Sequence, residues 1–304
     1  MNREFNQILA DAGIQPILVD IGASGAPPAI CAPIARHAIY VGFDPDRREL
    51  HDVQAGQYAR SIIVNEAVTS IPDQNEVHFY LTRSPFCSST LPPDTESLAN
   101  YLFSDLFIVE KEGDVPASSL AAVLERLGLP RVDWFKTDSQ GADLRLFQSL
   151  PDDLRNQVLA VDIEPGLIDA YRGEDLFVDA HREMTRQGFW LSNLGIGRAV
   201  RMRRSTLAEL GSEAVHLVKQ FQRPSPAWCE ARYLHTLEWL GEHRMQVQRY
   251  ILLWVFAVLD ELYGFALDVA LEYNRVFGKN DVFSFLWEAP LRQVQRRTSK
   301  TAWA

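Results

Sequence analysis

Cysteine is scarce in this chain of 304 residues. Cys31, Cys87 and Cys229 are odd in number and widely spaced, which excludes a disulfide framework and gives no zinc-type spacing; a reducing, cytoplasmic setting is the expectation. Positive charge is also short, with 30 Lys and Arg against 40 Asp and Glu, a formal net charge of -10 and a pI near 5.2. Nucleic-acid affinity comes largely from neutralising phosphates, so a polyanion is excluded as the main partner. No apolar run is long enough and clean enough to span a membrane. The most apolar stretch, residues 250–273, is interrupted by Asp260, Glu261 and Asp268. Glu261, Asp268 and Glu272 fall seven and four apart, the spacing of a narrow polar stripe on an otherwise apolar helix buried in a helical subdomain or a homodimer interface. The first residues, MNREFNQILADAG, lack the basic-then-apolar layout of a secretory signal. Internal repeats and low-complexity tracts are missing too.

What is present is enough apolar material, 47% of residues, to bury a substantial core in one large domain or in a domain with an appendage. Short apolar runs at 17–21, 39–43, 61–65, 132–137 and 158–163 alternate with helical stretches. That pattern predicts an α/β fold with a doubly wound, mostly parallel sheet. Each run closes on a polar or acidic residue. Ligands of open parallel sheets bind beyond the carboxyl ends of the strands, so Asp20, Asp44, Asp138 and Glu164 are expected to share one crevice. Residues 188–204 read as two strands joined at 195–197, a hairpin closing the sheet. From Ser205 the periodicity is helical, broken at Pro224 and Pro226, which predicts a domain over 1–204 and an all-helical extension over 205–304 acting as an interface or lid.

The stretch LVDIGASG, residues 18–25, ends the first strand in a glycine turn. A dinucleotide fingerprint would need a glycine where Asp20 stands, which argues against a nicotinamide cofactor. What remains is an acid at the strand end and the turn Gly22, Ala23, Ser24, Gly25, where backbone can approach a ligand closely. A second strand ends in Asp44, whose carboxylate can accept from both hydroxyls of a ribose. Turn and acid together select an adenosine ligand without a pyrophosphate, a description that S-adenosylmethionine fits.

The segment VDWFKTDSQGADLRLFQSL, residues 132–150, resembles the signature of FkbM-type S-adenosylmethionine-dependent methyltransferases: a lysine-hydrophobe-aspartate strand end, then a Glu-Gly or Gln-Gly turn and an amphipathic helix. Lys136, Asp138, Gln140 and Gly141 match it. The serine-rich SSTLPPD at 88–94 resembles a further family segment, and Glu164, Tyr171 and Gly173 sit as in the family's fifth-strand region. The likeness runs in order over residues 16–194; Ser24 stands where the family usually has asparagine, and Ala121 where it commonly has aspartate. It implies a Rossmann-like fold and transfer of a methyl group to a hydroxyl of a sugar, glycan or secondary metabolite. Ser88, Ser89, Gln140 and Tyr171 are then expected at the acceptor.

Methyl transfer from a sulfonium is an in-line displacement, so orientation contributes most, about 7–11 kcal/mol, against roughly 3–5 for a general base. Asp138 and Glu164, at adjacent strand ends, are the carboxylates placed to accept or orient the acceptor's proton. Of the histidines in the resembling region, His78 reads as an outward strand residue and His181 as a solvated helix residue. No cluster has metal-site spacing, although an Asp–Glu pair could hold a divalent cation. Two other functions fit less well: a catalytically inactive methyltransferase-fold protein that binds a partner through its helices, and a nicotinamide-dependent oxidoreductase.

Overall fold

Strands Ile17–Ile21 (β1) and Ile39–Phe43 (β2) bury every residue, the state of parallel strands covered on both faces. In the computed structural model, which describes residues 2–24, 26–46, 48, 57–211, 215–216, 220 and 222–301, they lie side by side in a seven-stranded sheet. The other strands are Arg60–Val64 (β3), Ala67–Val68 (β4), Glu76–Thr82 (β5), Val109–Ser118 (β6), Trp134–Thr137 (β7), Ala160–Ile163 (β8), Phe189–Ala199 (β9) and Ser225–His235 (β10). The main sheet runs β3-β2-β1-β7-β8-β10-β9, and β4, β6 and β5 form a small separate sheet. Strands β3, β2, β1, β7 and β8 pair in parallel, and β10 is antiparallel to both of its neighbours.

Each face of the main sheet carries its own core. Leu18, Tyr40, Trp134 and Ala160 pack with the N-terminal helix Asn2–Asp11 and the C-terminal helices Val247–Leu259, Tyr263–Phe277 and Asp281–Thr301. Val19, Val41, Phe135 and Val161 pack with Leu120–Leu127, Asp143–Gln148 and Phe177–Arg186 on the other side. The predicted α/β doubly wound sheet is therefore the observed one, with C-terminal helices on one face. No helix among the described residues is long and apolar enough to cross a membrane.

Three expectations are corrected. The chain beyond Ser205 is not all helical: Ser225–His235 is a full strand, hydrogen-bonded between β8 and β9. Its inward residues Ala227, Cys229, Ala231 and Tyr233 do alternate, but three of the four are small, so the period-2 signal is weak. Residues 188–204 do not form a hairpin, because β9 runs unbroken from Phe189 to Ala199. Its glycine at 197 serves the neighbouring strand: a Cβ there would meet the Trp228 indole at 2.0 Å. Residues 250–273 are not one helix. The first helix stops at Leu259, and Glu261 turns the chain through a left-handed φ of +59° before the next begins. Asp260 at that corner is drawn to Arg232 of β10 at 2.5 Å.

Gly197→Ala tests the first two corrections together. Overpacking against Trp228 is expected to destabilise the protein by about 1–3 kcal/mol, read as a lowered urea midpoint with unchanged m-value. A turn glycine would show no dependence on Trp228, whereas here the double variant with Trp228→Ala is expected to recover part of the loss.

Candidate functional site

The carboxyl ends of β1, β2 and β7 are locked by backbone bonds. Gly22 and Ala23 both donate to the Phe43 carbonyl at 2.9 Å, and Asp138 N–H donates to Ile21 at 2.8 Å. Gly22 has φ +78°, and a Cβ there would lie 2.1 Å from the Asp138 carbonyl oxygen. Glycine is thus required twice, by conformation and by the close crossing of two strand ends. Gly22→Ala is expected to cost about 2–4 kcal/mol, from the left-handed penalty and the forced shift of the 138–141 loop, measurable by chemical denaturation. Wild-type stability in that variant would contradict the crossing. Of the rest of the turn, Ser24 lines a cleft, Ala23 is buried behind it, and Gly25 lies outside the described residues.

Asp44 follows β2 and is almost wholly buried. Its Oδ1 accepts from Asp46 N–H at 2.7 Å, its carbonyl from the Asn65 amide at 2.6 Å, and burial pushes its carboxyl up to about 6. It lines a cleft of about 220 Å³ together with Gly22, Ser24, Glu66 and Asp138. Apolar walls come from Val68, Ile71 and Phe79. Asp44, Asp46, Glu66 and Asp138 are its acids, and Arg145, already paired with Asp175 at 2.7 Å, is the one cation among its described lining residues.

Asp138 also lines a second cleft of about 390 Å³, with Lys136, Asp162, Glu164, Asn193, Glu230 and Arg232. Its floor is a row of alternating charges in register across four strands: Asp20 beside Lys136, Lys136 beside Asp162, Asp162 beside Arg232. Lys136 Nζ donates to Asp20 at 2.6 Å and Arg232 to Asp162 at 2.7 Å, while Arg232 also lies over the Trp134 ring. Burial opposes the Lys136 charge, but Asp20 and Asp138 outweigh it and hold the ammonium more firmly than in an ordinary lysine. Burial likewise raises the Asp20 carboxyl, against the pull of Lys136.

Glu164, just past β8, comes within hydrogen-bonding reach of Asp138. Burial, then the nearby charges of Asp138 and Asp143, push its carboxyl up to about 9. A carboxyl so close to another is disfavoured as a charge, which is the direction of the Glu164 shift.

The structure therefore brings Gly22, Ser24, Asp44, Asp138 and Glu164 to one edge of the sheet, but not into the single crevice expected: Asp44 lines the first cleft, Glu164 the second, and Asp138 both. Asp20 is displaced from that expectation. It lies one residue inside β1, and its two oxygens are taken by the Tyr40 hydroxyl at 2.8 Å and by Lys136, so it supports the floor and is not in the lining of either cleft. Ser89 and Tyr171 are likewise absent from both linings. Ser89 Oγ donates to the Gln140 carbonyl at 2.7 Å, and the Tyr171 hydroxyl reaches the Cys87 carbonyl and the Gln140 side chain, so both brace the 138–141 loop from behind. Ser88 borders the first cleft, but its Oγ accepts from Thr82 N–H and from Arg48.

Several participants escape sequence reading. Asp143 is fully buried beneath the loop, accepts from Thr137, and is pushed by burial up to about 7. Arg232 and Asp260 belong to segments that read as helix. Only Lys136 carried a sequence signal, through its place before Asp138. His78 and His181 lie away from both clefts; His78 pairs with Asp114, and His181 stacks on Phe177.

The family model of the methyltransferase FkbM domain matches residues 30–191, from just before β2 into β9. No curated protein and no solved structure matches the chain.

Proposed function

The chain belongs to the FkbM methyltransferase family, and on that premise we propose that it moves the methyl group of S-adenosylmethionine to a hydroxyl oxygen of a sugar, glycan or other secondary metabolite. The observation that carries this reading is the junction of two clefts at a single carboxylate, Asp138. One cleft has the chemistry for a nucleoside, and the other sets the acids Asp138, Asp162, Glu164 and Glu230 and the cations Lys136 and Arg232 beside an apolar side at Pro28, Ala29 and Ile30.

The first cleft suits the cofactor on three counts. Asp44 can accept from a ribose diol, Val68, Ile71 and Phe79 offer apolar surface to a planar base, and Asp44 and Asp138, the acids left once Asp46 pairs with Arg48 and Glu66 with Arg126, favour a ligand bearing sulfonium and ammonium charges. The same acids oppose a pyrophosphate, which weighs against a dinucleotide oxidoreductase. When bound, S-adenosylmethionine supplies an electrophilic methyl carbon. Ser24 and the Gly22 turn would hold its amino-acid end, and Asp44 its ribose. Asp138 and Glu164 would orient the acceptor hydroxyl and take its proton at the cleft junction. Most of the rate comes from that alignment.

Two titrations test the cofactor. S-adenosylmethionine and S-adenosylhomocysteine are expected to give saturable heats by calorimetry, and NAD none; binding of NAD alone would sink the reading. Asp44→Ala is expected to weaken S-adenosylmethionine by about 1.5–3 kcal/mol, the worth of hydrogen bonds to a charged group. Unchanged affinity in a folded variant would remove Asp44 from the site.

A further inference from the structure

We propose that Gln140 is the positioning residue of the acidic pair: braced by Tyr171, it fixes the negative charge on Asp138 and leaves the pair's proton on Glu164. Use of that charge in catalysis rests on the methyl-transfer reading, whereas its placement stands on the hydrogen bonds.

Gln140 is held in a left-handed backbone conformation, φ +58°, which a side-chain-bearing residue adopts only when its surroundings impose it. Three bonds impose it here. Its carbonyl accepts from Ser89 Oγ at 2.7 Å, its Oε1 from the Tyr171 hydroxyl at 2.9 Å, and its Nε2 donates to Asp138 Oδ1 at 2.6 Å. The last contact decides the orientation of the amide. Turned over, Gln140 would set Oε1 against Oδ1, two acceptors in contact, unless Asp138 itself carried a proton. Tyr171 anchors the amide on the side away from Asp138, its hydroxyl lying 2.9 Å from Oε1 and 2.8 Å from the Cys87 carbonyl.

The neighbours then fix where the shared proton rests. Glu164 faces Asp138 with no amide donor of its own among the described residues, so it is the partner that gains from keeping a proton and donating it. Around Asp138 the charged groups are Lys136 on its own strand, Asp20 and Asp44 from β1 and β2, Asp143 from the following helix, and Glu164. Tyr171 and Cys87 face it as neutral groups. Asp20, Asp44, Asp143 and, beside Glu164, Glu230 of β10 disfavour charge on the pair without supplying a donor to either member, and Lys136 adds to the preference for charge on Asp138. In the transfer step the acceptor O–H bond breaks and its proton passes to Asp138, as the new O–CH₃ bond forms and the C–S bond of the sulfonium breaks. S-adenosylhomocysteine and the methyl ether leave with charges balanced.

The test needs no acceptor. In the full-length protein with ¹³C-labelled Asp and Glu carboxyls, resonances assigned through Asp138→Asn and Glu164→Gln, nuclear magnetic resonance follows both groups across the pH range. At neutral pH Asp138 is expected ionised and Glu164 protonated. Gln140→Leu is expected to raise the pair's lower titration step by about one to two pH units, the effect of losing a hydrogen bond to a charged group. Tyr171→Phe, which keeps the amide but frees it, is expected to raise that step by less, and it decides the matter if Gln140→Leu does not fold. A proton found on Asp138 at neutral pH, or a lower step unmoved in the folded variants, overturns the proposal. Calorimetry with S-adenosylmethionine on the same samples separates the two ideas: failure to bind would remove the methyl-transfer reading and leave the titration result standing.

Discussion

A chain ended near Arg204 is expected not to fold. The sequence reading places a domain boundary there, but the removed part contains β10, which is hydrogen-bonded to β8 along one edge and to β9 along the other. Its loss would open two inner edges in the main sheet, and unpaired strand edges invite aggregation. Both cores would also be stripped: Ala231 and Tyr233 leave one face, and Leu252, Trp254, Val255 and Phe256, all essentially inaccessible to solvent, leave the other. At about 1.5–3 kcal/mol for each large buried side chain, these four alone are comparable to the whole stability of an ordinary domain, about 5–15 kcal/mol. Circular dichroism, thermal melting and light scattering would read the result as an aggregated or non-cooperative chain. A soluble truncation with a cooperative melt would restore residues 205–304 to the status of a separable extension.

Asp138→Asn is expected to lower methyl transfer by about 10²–10⁴-fold while weakening S-adenosylmethionine binding far less, by the loss of one nearby charge, the pattern of a group that acts mainly on the proton in flight. The substitution keeps size and hydrogen-bonding reach, and removes the carboxyl group at the one described residue common to both clefts. Glu164→Gln is expected to cost less, about tenfold, because a glutamine there can still donate to Asp138 and so replaces the protonated acid in kind. Transfer of a labelled methyl group to a panel of hydroxylated acceptors, run beside calorimetry, measures both. Undiminished turnover in Asp138→Asn would remove it from the chemistry, and equal losses in the two variants would contradict the unequal roles.

The sequence by itself determined the elements whose signal is local. Strands such as Ile17–Ile21 and Ile39–Phe43 are continuous apolar runs ended by an acid or glycine, and their bounds were legible to the residue because parallel strands buried on both faces tolerate little else. The parallel layout followed from alternation with helices, and with it the gathering of Asp44, Asp138 and Glu164 at one edge. The Lys136 to Gly141 pattern carried the family. Tertiary structure decided whatever depends on a neighbour distant in the chain. Gly197 is a glycine because Trp228 lies across it, and Gly22 because the Asp138 carbonyl does, so neither could be told from an ordinary turn glycine. Strand β10 joins the sheet through backbone pairing to β8 and β9, and its inward residues are mostly small because helices pack on them, which makes a faint pattern in one dimension. Asp20 and Tyr171 were legible as residues of the site region but not in their placing. Hydrogen bonds to Lys136, Tyr40, Cys87 and Gln140 set that, and a buried polar group goes where its partners are.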